Sequence, residues 1–237
     1  MSDPATRQAF RRGVRDGAPF LLVVAPFGMV FGVIGVEAGL NLPEVMGFSI
    51  FVIAGASQLA AVQMMAEGAP VAVVLATALA INLRMAMYSA ALAPHLAGMP
   101  LGRRGLMAYF LVDQTFAASA LEFERRPDLR PKDKSAYFLG VVAPVCLPWY
   151  AATLAGALLG SGLPAGWGLD FAVPITFLAV IAPMLRTTAH VAAAAVSALG
   201  ALLLVFLPWN LGLLVASAAA MVTGALIEVL AERKGRA

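Results

Sequence analysis

The sequence predicts an all-α, polytopic transmembrane bundle of about eight spans, with seven as the alternative. Three observations predict it. Hydrophobic residues make up 61% of the chain and charged residues 12%, about half the charged share of a soluble domain. The charges collect in three stretches, residues 7–16, 122–134 and 228–236. Between them run apolar segments of roughly 17–25 residues, the length a helix needs to cross about 30 Å of hydrocarbon. A formal net charge of +3 is therefore a membrane-flank signal and not a nucleic-acid one, because Lys and Arg gather beside membrane spans.

The predicted spans are 18–39, 45–66, 70–96, 105–121, 135–159, 171–185, 188–207 and 211–230. The first follows Arg7, Arg11, Arg12 and Arg15, is long, and has no small-residue cleavage site after it. It reads as a retained anchor rather than a signal peptide. Turn-forming residues at 41–43, 67–70, 98–102 and 160–168 separate the spans. A tight turn at 208–210 carries Trp209 as an interfacial anchor. The sixth span is short, and Arg186 and His190 lie where it meets the seventh. A re-entrant hairpin there gives the seven-span alternative. The whole chain, 1–237, reads as one integral membrane transport domain.

Orientation follows the basic residues. Four lie in the N-terminal stretch, five in 122–134, and three, Arg233, Lys234 and Arg236, in the tail. An even number of spans puts all three groups in the cytoplasm, with Arg103 and Arg104 as exceptions. A weak internal repeat is also visible. Val23-Val24-Ala25-Pro26 recurs as Val141-Val142-Ala143-Pro144, and Asn41-Leu42-Pro43 is echoed by Gly162-Leu163-Pro164. Halves at 15–121 and 135–230 would then run parallel, as in duplicated transporters whose substrate site lies at the repeat interface. Chance similarity among Ala/Val/Gly-rich helices is the competing reading.

Polar residues inside the apolar runs carry the candidate chemistry. Ala54-Gly55-Ala56-Ser57-Gln58 sets three small residues before Ser57 and an amide. Small residues let a helix or a ligand approach closely. Gln58 can bond an amino acid's carboxylate or ammonium, or simply a neighbouring helix. Asn82-Leu83-Arg84 lies near the middle of the third span. A charge there costs about 2.5–3.5 kcal/mol on insertion scales, so it faces the bundle interior or water. The Arg84 guanidinium can grip a carboxylate at two points, and Tyr88 shares its face. A structural ion pair is the plainer reading of Arg84.

Asp113 is the matching acid in the fourth span. Burial favours its protonated form and a nearby arginine its ionised form, so its protonation can follow the occupancy of Arg84. His190 and His95 are weaker proton-path candidates. Pro19, Pro26, Pro144, Pro148, Pro174 and Pro183 mark helices expected to bend, some to break. The methionines at 64–65 and at 85 and 87 read as packing.

Several classes are excluded by motif. No GxxxxGK[ST], HExxH or GxSxG occurs. One cysteine, Cys146, and two histidines are too few for most metal or thiol chemistry. No cofactor, metal or catalytic residue is assigned.

Phe27-Gly28-Met29-Val30-Phe31-Gly32, Ala54-Gly55-Ala56-Ser57-Gln58, Asn82-Leu83-Arg84 and Asp113-Gln114-Thr115-Phe116, in that order, resemble the AzlC family. Tyr137-Phe138-Leu139-Gly140 and Gly168-Leu169-Asp170-Phe171-Ala172 fit as well. The resemblance runs from about residue 15 to about residue 225. Gln114 departs from the acidic or small residue usual at that place. The resemblance implies the large subunit of a bacterial branched-chain amino acid exporter in the inner membrane, driven by the proton gradient. It also implies a small AzlD-type membrane subunit as partner. Gly55, Ser57, Gln58, Asn82 and Arg84 are the expected substrate residues and Asp113 the expected proton-coupling residue. A non-transporting membrane scaffold or channel subunit is the alternative.

Overall fold

A computed structural model describes residues 3–160, 185, 187–208 and 211–235. The described residues form helices and turns with no strand. The expected all-α membrane bundle is what the chain forms. Among the described residues, four helices are long and apolar enough to cross a membrane: Pro4–Glu37, Val71–Leu96, Pro131–Gly160 and Leu211–Ala231. Most of the sixth predicted span, Arg186, Trp209, most of the 160–168 turn and the 168–172 motif lie outside the described residues.

The chain divides into two compact units. The first runs from the N-terminus through Gln63 and resumes at Leu75. Its frame is a pair of long helices. Helix α1 (Pro4–Gly17) passes through a 3-10 turn at Ala18–Phe20 into α2 (Leu21–Glu37). Together they form one rod of 34 residues. It lies against a helix of 30 residues, Pro131–Gly160. Gly13 meets the backbone of Tyr137 and Val141, and Gly32 meets that of Thr153 and Ala157. Contacts advance in the same direction along both helices, so the two run parallel. The approach is close enough that a Cβ at Gly32 or Gly156 would strike a backbone carbonyl. Glycine is required there for helix contact, as in other membrane interfaces built on small residues.

Parallel packing means that the chain between these rods crosses an odd number of times. The intervening elements are α3 (Leu42–Phe51), α4 (Gly55–Ala66), α5 (Val71–Leu92), α6 (Leu101–Tyr109) and α7 (Asp113–Arg125), and the rod at Pro131–Gly160 is α8. The predicted span at 45–66 is not one helix but α3 and α4 with a break at 52–54. The predicted span at 105–121 is likewise α6 and α7 with a break at 110–112. Neither break contains a proline. Pro26, Pro144 and Pro148 all sit inside continuous helices. Proline removes one backbone donor and bends a helix, whereas these breaks arise where side chains take over the backbone's hydrogen bonds.

The predicted turns near 41–43, 67–70 and 98–102 hold. Asn41 caps α3, its side chain accepting the Glu44 N–H at 3.0 Å while the Glu44 carboxylate accepts the Asn41 N–H at 2.7 Å. Gly68 and Gly98 take positive φ at the next two turns. Helix α5 buries Val74, Thr77 and Leu92 and exposes Val71, Leu75, Leu79, Leu83 and Met87 at four-residue intervals. One side therefore meets the unit and the other is an exposed apolar stripe.

At the charged end of this unit, α1, α7 and α8 are tied by polar contacts. Asp3 holds Lys132 at 2.7 Å and Arg130 at 2.9 Å. The Thr6 hydroxyl donates to Asp133 at 2.6 Å. Arg12 lies 3.3 Å from Glu122, and the buried Tyr137 hydroxyl donates to Asp16 at 2.9 Å.

The second unit takes in Met64–Val74 and the C-terminal helices α9 (Thr188–Leu203) and α10 (Leu211–Gly235). These two form an antiparallel hairpin, with Gly200 against Ala216 and Gly224 against Ala193. Their outer sides expose Val191, Leu199, Leu202, Val215, Met221 and Val222.

Candidate functional site

The two helix breaks are built alike. At the first, Ala54 precedes α4. Its N–H is accepted by the Gln58 side-chain oxygen at 3.1 Å, and its carbonyl accepts the Ser57 hydroxyl at 2.9 Å. The other end of the Gln58 amide donates to Ser49 at 3.3 Å, and Ser49 donates to Thr153 of α8 at 3.2 Å. Ser49, Ser57, Gln58 and Thr153 are all fully buried. Ile53 sits in the break at φ 45°. A β-branched residue there is strained by about 1–3 kcal/mol, a cost that persists only where the surroundings enforce it. Gly55 follows because a Cβ would run into the Phe27 and Trp149 rings.

At the second break, Val112 precedes α7. Its N–H is accepted by the Thr115 hydroxyl at 2.9 Å. That same hydroxyl lies 2.8 Å from the Phe110 carbonyl and 3.0 Å from the Val112 carbonyl, and its single proton serves one of them. In both breaks a side chain three or four residues into the new helix satisfies the residue that interrupts the old one. Unwound backbone at membrane depth must be satisfied in this way or by a ligand.

Asp113 is the first residue of α7, where a helix N-terminus favours negative charge. Its two oxygens are divided between two partners on α5. Arg84 Nη1 lies 2.9 Å from one, and the Tyr88 hydroxyl donates to the other at 2.9 Å. Tyr88 stacks on Phe116 of α7 with ring centroids 4.2 Å apart. The expected pairing of Arg84 with Asp113 is thus present. Its side chains are 34% and 40% exposed in the isolated chain. Arg84 Nε is buried with no hydrogen-bond partner, as are Asn82 Oδ1, Thr77 Oγ1, Ser119 Oγ and Trp149 Nε1. Orphan buried polar atoms mark places for water or a ligand.

The structure separates the predicted residues into two groups. Arg84 and Asp113 meet at the second break, and Asn82 lies on the same helix as Arg84. Gly55, Ser57 and Gln58 form the first break, where Ser57 and Gln58 bond backbone and Ser49. His190 donates its backbone N–H to Thr187 at the start of α9. His95 lies beside the Phe123 ring. The sequence reading missed Ser49, Thr153, Thr115, Tyr109 and Tyr150. The hydroxyls at the third position after Ala54 and Val112 give a signal only once the breaks are known, because hydropathy does not register it. Tyr109 gave none, because its partner is a distant backbone carbonyl.

A family model described as AzlC protein matches residues 19–163. The Escherichia coli (strain K12) protein titled inner membrane protein YgaZ is 26% identical over 178 residues, covering 73% of this chain and 71% of that one. An Archaeoglobus fulgidus protein titled uncharacterized membrane protein is 28% identical over 189 residues, covering 78% and 80%. No solved structure matches the chain. With both broken spans and the Arg84–Asp113 pair inside the matched region, the chain belongs to the AzlC family, a membrane protein with a transport-related role.

Proposed function

We propose that this chain is the large subunit of a proton-coupled exporter of branched-chain amino acids. The observation that carries the reading is the Arg84–Asp113–Tyr88 cluster at the mouth of a helix break. Broken helices at membrane depth are how transporters present backbone and charge to a substrate. A zwitterionic leucine, isoleucine or valine needs a cation for its carboxylate, an anion or dipole for its ammonium, and apolar surroundings. Arg84 supplies the cation, with Nε still free to donate. The incoming carboxylate competes with Asp113 for the guanidinium. An acid deprived of its cation in a low-dielectric site is neutralised by taking up a proton. Substrate and proton are then linked through one shared charge.

An ion pair more than a third exposed on an isolated membrane chain is costly against hydrocarbon. That supports a second, small membrane subunit of the AzlD type covering the α5 face. The basic segments support an N-terminus on the cytoplasmic side of the inner membrane.

The test is counterflow of labelled leucine in proteoliposomes holding the chain and its small partner. The parent should exchange leucine. Arg84→Ala should weaken apparent leucine affinity about tenfold to a hundredfold, the worth of a charge-assisted bond. Absence of counterflow in the parent would leave a non-transporting scaffold as the better reading.

A further inference from the structure

The two broken spans are joined at their breaks by one side chain. Tyr109 is the last residue of α6, immediately before the second break. Its hydroxyl donates to the Ile50 carbonyl at 2.6 Å, two residues before the first break begins. It also lies 3.3 Å from the Tyr150 hydroxyl on α8. The Ile50 carbonyl belongs to the last turn of α3, where carbonyls lack helical partners because the helix stops. Tyr109 supplies what the break took away.

The bond spans a seam between a firm side and a loose side. Break one is anchored on α8 through Ser49 and Thr153, and α8 is locked to the α1–α2 rod by glycine contacts. Helix α6, in contrast, buries a single residue, Met107, and exposes Leu101 and Leu106. The end of α6 is fixed by the Tyr109 hydroxyl together with the Thr115 hydroxyl on the Phe110 carbonyl and the buried Leu111 and Val112, and of these only Tyr109 reaches the first broken span.

We propose that Tyr109 is a latch between the two broken spans, holding the breaks together when the path is closed and releasing Ile50 when it opens. The latch's purpose rests on the transport reading; its geometry does not. Alternating access requires one group of helices to rock against another around the binding site. The bond joins α6 to α3, the half-helices that lead into the two breaks, so rocking of α6 against α3 must stretch the Tyr109–Ile50 bond.

The test uses the assembled protein in membranes, with Cys146→Ser to remove the native thiol and Ala54→Cys as a reporter in the buried first break. Tyr109→Phe deletes only the hydroxyl. Losing one neutral hydrogen bond shifts an open–closed ratio about two- to tenfold. The cysteine at 54 should react with a membrane-permeant maleimide faster by that factor. Tyr150→Phe leaves the Tyr109–Ile50 bond in place and should label at close to the parent rate. Equal labelling in the parent and Tyr109→Phe would overturn the latch, and labelling of Tyr150→Phe as fast as Tyr109→Phe would overturn its assignment to Tyr109. In the same preparations, Tyr109→Phe should raise leucine exchange at equal pH by a similar factor with KM unchanged. Unchanged exchange would overturn its role in transport. A parent that moves no leucine defeats the exporter reading, while the labelling comparison still decides the latch.

Discussion

Both carboxylate oxygens of Asp113 are engaged, one by Arg84 and one by the Tyr88 hydroxyl. Substitutions at the three positions therefore separate charge from geometry. Arg84→Lys keeps the charge and loses the planar fork, so it should cost most of the leucine affinity, read as KM in counterflow. Tyr88→Phe keeps the stack on Phe116 and frees one Asp113 oxygen. It should leave leucine exchange at equal pH in place and move the pH profile of proton-driven export. Outside the membrane, hydrogen bonding from Lys132 and the Ala5 N–H, with Arg130 nearby, lowers the Asp3 carboxyl to about 2 from its ordinary 3.8. A depressed acid contributes above its unfolded value and loses that contribution as pH falls through its folded value. The contact of Asp3 with Lys132 and Arg130 should therefore persist at pH 4 and release near pH 2, as followed by NMR titration of the Asp3 carboxyl.

The helices divide into those fixed by packing and those fixed by hydrogen bonds. The rods α1–α2 and α8 depend on glycine, and a methyl at Gly32 or Gly156 meets carbonyl oxygen across the interface. Gly156→Ala should lower stability by about 1–3 kcal/mol, the usual cost of overpacking, read as a drop in unfolding temperature in detergent. The second break depends on one hydroxyl. Thr115→Val keeps the shape and leaves the buried Val112 N–H without its acceptor, at a cost of about 1–3 kcal/mol. Most helices were legible because apolar length and turn residues such as Asn41, Gly68 and Gly98 mark their ends. The breaks were not, since 45–66 and 105–121 stay apolar across them and hydropathy does not register where a backbone bond is handed to Ser57, Gln58 or Thr115. The Arg84–Asp113 pair was legible because two opposite charges at membrane depth have few other ways to be tolerated. The role of Tyr109 was not, because nothing in a sequence marks a backbone carbonyl as unpaired.

At the scale of the whole chain, the basic stretches expect both termini in the cytoplasm. A cysteine added after Arg236 should resist impermeant thiol reagents in intact cells; labelling as fast as at an outer-loop position would favour seven spans. The exposed Arg84–Asp113 pair and the apolar stripe of α5 expect a covering subunit, so the purified single chain should transport more slowly than the pair, and full transport by the chain alone would remove that expectation. The central claim is that substrate and proton share Arg84 and Asp113. Its most direct test is Asp113→Asn in proteoliposomes, with labelled leucine followed under an imposed pH gradient and at equal pH. Asparagine stands in for the protonated acid, so proton-driven movement should vanish while exchange at equal pH continues; normal proton-driven movement by Asp113→Asn would contradict the account.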